Sequence, residues 1–210
     1  MDLETIDLYL LHMFDPLTPM AEVAETMDLL KKQGKIRNYG LSNHTAEQLR
    51  AQRHFGAYDV IQPRYSLVDA EIESDLLPYC EAEGVGVMVY SPMHKGLLTG
   101  KYTGNETFAD FRKNHPDFQS QRFQAIATAV KSLEPLARKC QLSIYQLVLA
   151  ATLMHPGIDV AVVGIKSPAQ ITEAIGAAGK TISREDYFAV RKALAVDGIS
   201  KIQDAGGQRK

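Results

Sequence analysis

Residues 76–90 read LLPYCEAEGVGVMVY and contain a helical pattern followed directly by a strand. The helical pattern covers residues 72–83 and ends at Gly84, a residue type that commonly closes helices because it tolerates left-handed backbone. The apolar run at 85–90 has the length and composition of a strand that is buried on both faces. A helix joined to such a strand is typical of βα units around a parallel sheet.

The same alternation of apolar runs and helical patterns recurs on both sides of this stretch. The other predicted strands lie at 6–12, 36–42, 60–63 and 159–163. The other predicted helices lie at 20–33, 45–55, 122–140 (with a break at Pro135), 143–155 and 168–177, and a last one begins at Ser183. The first strand, IDLYLLH, is apolar enough to be buried on both faces. Residues 91–119 hold several glycines without a sustained period, and a loop this long inside a domain is usually functional.

The composition indicates a single globular domain. The 210 residues are 45% hydrophobic and 23% charged, and the formal net charge of −2 gives no reason to expect nucleic acid or a membrane surface as partner. No apolar run approaches the ~20 residues that span a bilayer, and the first residues lack the basic region of a signal peptide. Cys80 and Cys140 have no partner at metal-ligand spacing. We therefore expect a cytoplasmic protein that binds no metal.

Polar or small residues follow every predicted strand, at the end where parallel α/β sheets bind ligands. His12 continues the side of the strand that carries Leu8 and Leu10, so we expect its imidazole to face the sheet interior or the mouth of a barrel. A histidine there can orient or polarise a carbonyl group. The strand-end residues are His12, Ser42, Asn43, His44, Gln62, Tyr90, Ser91, Gly164, Ile165 and Lys166.

Each of these side chains also has an ordinary structural explanation. His12 can equally be a hydrogen-bonded core histidine. Ser42 and Asn43 can bind a carboxamide, such as that of nicotinamide, or cap the helix that follows. Gln62 can hold the same carboxamide or satisfy backbone groups, while Tyr90 offers either a flat face for ring stacking or a core tyrosine. The strand ends therefore outline one face of the sheet and leave its function open.

The loop after the fourth strand combines glycines with lysines. Residues 90–101 read YSPMHKGLLTGK, so backbone N–H groups and the ammonium groups of Lys95 and Lys101 can reach a pyrophosphate. The spacing is not that of a P-loop, and no G-x-G-x-x-G follows a strand, which argues against a Rossmann domain. Lys166 precedes a helix whose N terminus can meet a phosphate, and Glu173 on that helix can accept from an adenine amino group. A solvated helix face is the alternative for both residues.

At these positions the chain resembles the aldo-keto reductase family, from the fourth strand of its barrel onward. The matching segments are IDLYLLH (6–12), GLSN (40–43), IQPRYS (61–66), LLPYCEAEGVGVMVYSP (76–92), GLLTGKY (96–102) and VVGIKSPAQITEA (162–174). They cover nearly the whole chain in order. The resemblance implies an α/β fold that is an incomplete TIM-type barrel with about five parallel strands over residues 1–197. The composition of residues 198–210, rich in Gly, Lys and Gln, predicts a flexible tail. GLLTGKY resembles a bacterial branch whose members reduce aldehydes, ketones and sugars.

The resemblance implies a role for each strand end. His12 corresponds to the family's active-site histidine, which hydrogen-bonds the substrate carbonyl. Tyr90 corresponds to the aromatic residue that stacks on the nicotinamide ring. The residues that correspond to the family's carboxamide contacts are Ser42, Asn43 and Gln62.

The resemblance also implies two groups of dinucleotide contacts. The loop that covers the pyrophosphate includes Ser91, Met93, Gly96, Leu97 and Lys101. The positions where the family binds adenosine and its 2′-phosphate are Gly164, Lys166, Gln170 and Glu173. Lys166 favours NADP (NADPH) over NAD as the cofactor. Ala174 stands where the family usually has asparagine, and His94-Lys95 replaces a small or Arg-containing pair, so one adenine contact and the closure of the loop are expected to differ.

The family's general acid is a tyrosine assisted by a lysine and an aspartate, all from its first three βα units. Because this chain resembles the family only from the fourth strand on, we expect the catalytic Asp, Tyr and Lys to be absent and carbonyl reductase activity to be weak or lost. Delivery of a proton by a positioned acid typically contributes ~10²–10⁴-fold. Two alternatives are a working reductase, in which His12 is the acid or an oligomer completes the site, and a non-catalytic NADP-binding or protein-interaction subunit.

The expected partners follow from these interpretations. The substrate of an active enzyme would be a small aldehyde, ketone or sugar. A first strand at the edge of an open sheet exposes backbone groups that proteins do not leave bare, so we expect a homo-oligomer that forms through the strand at 6–11.

Overall fold

The computed structural model of the chain describes residues 3–196, apart from the side chain of Ser120. Within them the chain forms two compact units. The sheet unit contains residues 3–64, 72–90 and 156–162, and the helical unit contains residues 65–71, 91–155 and 163–196. The tail predicted at 198–210 lies outside the described residues.

The sheet unit is built on five parallel strands that follow one another in chain order. The prediction of an α/β fold with about five parallel strands is confirmed. The strands are β1 (Ile6–Leu11), β2 (Ile36–Ser42), β3 (Val60–Gln62), β4 (Gly86–Tyr90) and β5 (Val160–Val162). The buried side chains of the inner strands include Tyr39, Leu41, Ile61, Val87 and Val89.

A close approach at Gly40 sets the register between β2 and β3. Gly40 pairs with Val60, and a Cβ atom on Gly40 would lie 2.1 Å from the carbonyl oxygen of Val60. Only glycine therefore fits at this position. The same register places Ser42 opposite Gln62, which aligns the polar ends of the two strands.

The prediction that β1 is buried on both faces is wrong. Ile6 and Tyr9 are 39% and 43% exposed, and Leu8 and Leu10 are only half-buried. Within residues 3–196, β1 pairs with β2 alone and ends the sheet. An apolar run does not distinguish an inner strand from an edge strand, because both have the same local composition.

The helices of the sheet unit are α1 (Met20–Lys32), α2 (Ala46–Arg53) and α3 (Leu76–Glu83). Thr45 caps α2, and a capping box is completed by the side chain of Gln48. Gly84 closes α3 in the left-handed conformation, at φ 66°. The helix expected from residue 72 begins at Leu76 instead, after a 3₁₀ turn at Glu71–Ser74.

The helical unit contains α4 (Ser120–Lys131), α5 (Glu134–Lys139), α6 (Ile144–Leu153), α7 (Pro168–Ile175) and α8 (Arg184–Ala193). The break predicted at Pro135 separates α4 from α5, where proline occupies the first turn of the new helix. The predicted loop contains 3₁₀ turns at His94–Thr99, Phe111–Asn114 and Pro116–Phe118. Among residues 3–196, every helix is too short or too polar to cross a bilayer.

Candidate functional site

The carboxyl ends of β1 to β4 carry a connected group of polar residues. We call His12, Ser42, Asn43, Gln62 and Tyr90 the strand-end cluster. All five belong to the sheet unit. Because the strands are parallel and adjacent, their last residues meet at one edge of the sheet.

Asn43 connects three of the strands. Its amide nitrogen donates to the carbonyl oxygen of His12 over 2.9 Å and to Oγ of Ser42 over 3.2 Å. Its amide oxygen accepts from the hydroxyl of Tyr90 over 2.7 Å. Asn43 adopts a left-handed backbone with φ 57°, which asparagine tolerates better than most residues. The conformation thus turns its side chain back along the strand ends.

Ser42 and Gln62 connect the ends of β2 and β3. The hydroxyl of Ser42 donates to the carbonyl oxygen of Gln62 over 3.0 Å, and the backbone N–H of Asn43 donates to the same oxygen over 3.3 Å. The side-chain amide nitrogen of Gln62 lies 3.3 Å from Sδ of Met88, which is a weak acceptor. The Gln62 amide can therefore exchange this contact for a better one at low cost.

The structure excludes the simpler explanations for four of these residues. His12 is exposed, so it is not a core histidine. Thr45, rather than Ser42 or Asn43, caps α2. The half-buried Tyr90 directs its hydroxyl to the exposed Asn43, which is not the setting of a core tyrosine. The five residues are brought together, with His12 joined through its backbone carbonyl.

His44 is a neighbour of this cluster to which sequence reasoning assigned no role. It is 4% exposed, its Nδ1 lies 2.7 Å from the carbonyl oxygen of Ser42, and its Nε2 has no hydrogen-bond partner among the described residues. Burial lowers the pKa of His44, although the bond to Ser42 opposes the shift. A neutral imidazole that donates from Nδ1 leaves Nε2 as a buried acceptor. Its position directly after GLSN was the feature of the sequence that could have identified His44 as part of this region.

The loop that follows β4 is rich in left-handed backbone. Positive φ values occur at Ser91 (61°), Lys95 (55°) and Gly96 (90°), and such conformations in non-glycine residues are concentrated at functional sites. Gly96 also leaves room for Lys101, whose Nζ would lie 3.3 Å from a Cβ atom there. The ammonium group of Lys101 rests 4.7 Å from the centroid of the Tyr102 ring. Two predicted loop residues, Met93 and Leu97, are buried in the helical unit.

A chain of hydrogen bonds fixes His94 in this loop. Nδ1 of His94 lies 3.1 Å from Oγ of Ser66, and Nε2 lies 2.7 Å from Oδ2 of Asp117. Burial lowers the pKa of His94 despite the carboxylate. For Asp117, burial acts to raise the pKa, but hydrogen bonds from Arg122 and His94 outweigh it and hold the pKa below its usual value. Serine, histidine and aspartate in series resemble a hydrolytic triad, yet Ser66 is 1% exposed and cannot meet a substrate.

The residues predicted around α7 lie at its N-terminal end and along its side. Gln170 uses its side-chain oxygen to accept from the backbone N–H of Lys166 over 2.6 Å, and the side chain of Lys166 is exposed. Glu173 accepts a short hydrogen bond from the hydroxyl of Ser143, which engages one of its carboxylate oxygens. Gly164 is exposed, and a Cβ atom there would meet nothing within 4 Å. The exposed side chain of Lys166 also fits the alternative explanation, a lysine on a solvated helix face.

Comparisons with known proteins match this chain to aldo-keto reductases. The sequence pattern described as "Aldo/keto reductase family" matches residues 1–195. The chain is 38% identical to the aldo-keto reductase YhdN of Bacillus subtilis over 184 residues, which cover 86% of this chain and 56% of that protein. It is 32% identical to the NADH-specific methylglyoxal reductase of Escherichia coli over 193 residues, which cover 90% of this chain and 59% of that protein.

A solved structure supports the same grouping. The glycerol dehydrogenase AKR11B4 of Gluconobacter oxydans superimposes with a TM-score of 0.88 at 33% sequence identity, covering 98% of this chain and 63% of that chain. This chain therefore spans less than two-thirds of the length of each of these three proteins.

Proposed function

The chain belongs to the aldo/keto reductase family, and from that premise we propose that its strand-end cluster holds the nicotinamide end of NADPH for reduction of a small carbonyl compound. The hydrogen-bond network that runs from His12 through Asn43 to Tyr90 carries this proposal. The network places hydrogen-bonding groups beside the partly exposed ring of Tyr90. An aromatic carboxamide such as nicotinamide needs both, because its amide forms hydrogen bonds and its ring stacks.

The donors and acceptors of the cluster fit a carboxamide. Both amide hydrogens of Asn43 are donated to His12 and Ser42. Its oxygen accepts from Tyr90 and has a second lone pair that can accept from a carboxamide N–H. The amide nitrogen of Gln62 can leave the weak sulfur acceptor and donate to the carboxamide oxygen. The ring of Tyr90 then has a face on which the nicotinamide ring can stack.

The remaining cofactor contacts that we propose are in the loop after β4 and around α7. The loop residues Ser91, Met93, Gly96, Leu97 and Lys101 would cover the pyrophosphate, since Lys101 adds a positive charge to a loop with left-handed backbone at Ser91 and Gly96. Gly164, Lys166, Gln170 and Glu173 would receive the adenosine. Lys166 is exposed just ahead of α7, which suits the 2′-phosphate of NADPH. NADH is the competing cofactor, because one relative is named as NADH-specific.

His12 is the residue that we place against the substrate. The cofactor supplies a hydride to the carbonyl carbon, and the oxygen then needs a proton within hydrogen-bond reach. The exposed imidazole of His12 stands beside the network that would hold the nicotinamide, so it can orient the carbonyl oxygen and donate to it. We propose that the catalytic Tyr, Lys and Asp of the family are not among the residues of this chain, and that its own reductase activity is weak.

A second candidate is cofactor binding without turnover. The hydroxyl of Tyr90, the tyrosine of the strand-end cluster, is already engaged as a donor to Asn43. This favours a chain that binds the dinucleotide but lacks an efficient proton donor.

We further propose that the chain associates with itself through the edge strand β1.

One titration separates these possibilities. The purified chain is titrated with NADPH and with NADH while quenching of the reduced nicotinamide fluorescence is followed, and NADPH consumption is then measured with a reactive aldehyde. Saturable binding with slow turnover that His12→Ala abolishes supports the weak reductase, and binding without turnover supports the second candidate. No binding of either cofactor at millimolar concentration would refute both.

A further inference from the structure

Two imidazoles and a carboxylate converge in the helical unit, on residues that the proposed function does not use. We call His94, His115 and Asp117 the imidazole–carboxylate cluster. One ligand atom from each residue lies within 4.8 Å of the other two. Nε2 of His94 is 2.7 Å from Oδ2 of Asp117, and Nδ1 of His115 is 3.8 Å from the same oxygen.

The fold, rather than the sequence spacing, creates this group. His94 begins the 3₁₀ turn His94–Thr99, whereas His115 and Asp117 flank the start of the turn Pro116–Phe118. The rings of His94 and His115 lie edge to face, with centroids 5.6 Å apart. Three potential ligands from two separate turns therefore face a common point.

The surroundings of the cluster have the form of an outer shell around a metal site. Protein metal sites usually hold a ligating histidine by a hydrogen bond to its second nitrogen, and a ligating carboxylate by bonds to its other oxygen. Nδ1 of His94 meets the hydroxyl of the buried Ser66 over 3.1 Å, while the guanidinium of Arg122 bonds Oδ1 of Asp117. This leaves Nε2 of His94 and Oδ2 of Asp117 on the side that His115 faces.

We propose that His94, His115 and Asp117 bind a divalent transition-metal ion, with zinc as the ion that fits best. Two imidazoles with one carboxylate suit zinc, which takes nitrogen at ~2.0–2.1 Å and carboxylate oxygen at ~2.0–2.2 Å. Donors at those distances lie roughly 3.3 Å apart in a tetrahedron. The present separations of 2.7 and 3.8 Å bracket that spacing, so side-chain adjustments of less than an ångström bring the ligands into place. A water molecule completes the four ligands.

The burial of the cluster suits a metal site. His94 is 3% exposed, and its bond to Asp117 would be replaced by a bond from each residue to the metal ion. The half-buried carboxylate of Asp117 would keep its hydrogen bond from Arg122.

Lys95 opposes binding and provides a directional test. Its ammonium group lies 3.0 Å from Nε2 of His115, and the backbone N–H of Asp117 lies 3.3 Å from Nδ1 of the same ring. When Nδ1 of His115 ligates a metal ion, it no longer accepts from the backbone N–H of Asp117. The neutral ring then carries its proton on Nε2, so Lys95 loses its acceptor as well. Replacing Lys95 with methionine keeps the aliphatic stem and removes the competing charge, so we expect metal affinity to rise roughly three- to tenfold.

The experiment uses the full chain without an affinity tag, after treatment with a chelator. Zn²⁺ is titrated against a chromophoric chelator, and Co²⁺ is added in parallel to observe its visible ligand-field bands. We expect one tight equivalent per chain and an intense tetrahedral Co²⁺ spectrum. His115→Gln should weaken that equivalent at least about a hundredfold, since even outer-shell changes cost 10–100-fold. His54→Gln, an exposed histidine in the sheet unit, is the matched control and should change nothing.

Circular dichroism shows whether each variant is folded, so a loss of metal binding can be separated from a loss of structure. His115→Gln and Lys95→Met must retain the parent spectrum, and the opposite directions of their effects cannot both come from lost structure. Metal binding that survives His115→Gln, is lost equally in His54→Gln, or fails to tighten in Lys95→Met would overturn the assignment. The proposed cofactor binding does not enter this measurement, so its failure leaves the metal test intact.

Discussion

The hydroxyl of Tyr90 donates a hydrogen bond to the side-chain oxygen of Asn43 over 2.7 Å, and this single bond joins the end of β4 to the end of β2. The two strands are not neighbours, because β3 lies between them. The bond therefore spans the edge where Gln62 ends β3. It holds the hydroxyl end of the Tyr90 ring beside the Asn43 amide, at the edge to which we assign the nicotinamide.

The first prediction separates the ring of Tyr90 from its hydroxyl. Tyr90→Phe removes the bond to Asn43, so we expect the free energy of unfolding to fall by about 1 kcal/mol, with NADPH affinity largely kept. Tyr90→Ala also removes the stacking face and should weaken NADPH binding roughly tenfold. Urea unfolding and fluorescence titration measure the two effects. Equal affinity in Phe and Ala variants would show that the ring does not contact the cofactor.

The second prediction concerns the choice between NADPH and NADH. Lys166→Ala should weaken NADPH binding roughly tenfold and leave NADH binding unchanged, because only NADPH carries the 2′-phosphate. Lys180→Ala, which removes an exposed lysine of the same unit, is the control. An equal loss for both cofactors would place Lys166 elsewhere than at the 2′-phosphate.

The third prediction tests the close approach of β2 and β3. Gly40→Ala forces a methyl group to 2.1 Å from the carbonyl oxygen of Val60, so the strands must move apart. We expect a loss of about 3 kcal/mol in the free energy of unfolding, at the upper end of overpacking costs. Gly164→Ala has open space for its methyl group and should change stability little. Thermal and urea unfolding of both variants provide the comparison, and equal stability would contradict the register.

The fourth prediction is an acid dependence that arises at Glu106. Backbone hydrogen bonds, chiefly from Thr103, lower the pKa of Glu106 from 4.5 to about 2. A lowered folded-state pKa means that this stabilisation is complete above pH 4.5 and is lost as the pH falls towards 2. Glu106→Gln should therefore reduce stability near neutral pH and flatten the acid limb of the stability profile. Glu25→Gln, at an exposed site in α1, should keep the parent profile.

The fifth prediction concerns self-association through β1. Ile6 and Tyr9 expose apolar surface on a strand that ends the sheet of the described residues, and a lysine on an edge strand opposes pairing with another strand. We expect the parent chain to form oligomers in size-exclusion chromatography with light scattering and Tyr9→Lys to shift it to monomer. Phe55→Lys, equally exposed but outside β1, should leave the oligomers intact. A parent chain that is monomeric at high concentration would refute the proposal.

Most of the secondary structure follows from local chemistry. The capping residues Thr45 and Ser143 and the closing glycine at 84 act within a few residues of themselves, so their helices could be located from the sequence. The polar residues at the strand ends could also be named, because a parallel sheet collects them at one edge. The mutual bonds of those residues could not be named, since they depend on side-chain conformations and on the left-handed backbone of Asn43.

The order of strands and helices and the residues at the strand ends could be predicted from the sequence, because periodicity and capping depend on near neighbours. The family resemblance could be recognised from short motifs such as GLLTGKY. The tertiary structure was needed to show that β1 is partly exposed, that Tyr90 bonds Asn43, and that His94 meets His115 and Asp117. Each of these depends on which distant segments become neighbours. Strand pairing and loop packing set those contacts, and neither can be deduced from any short stretch of the chain.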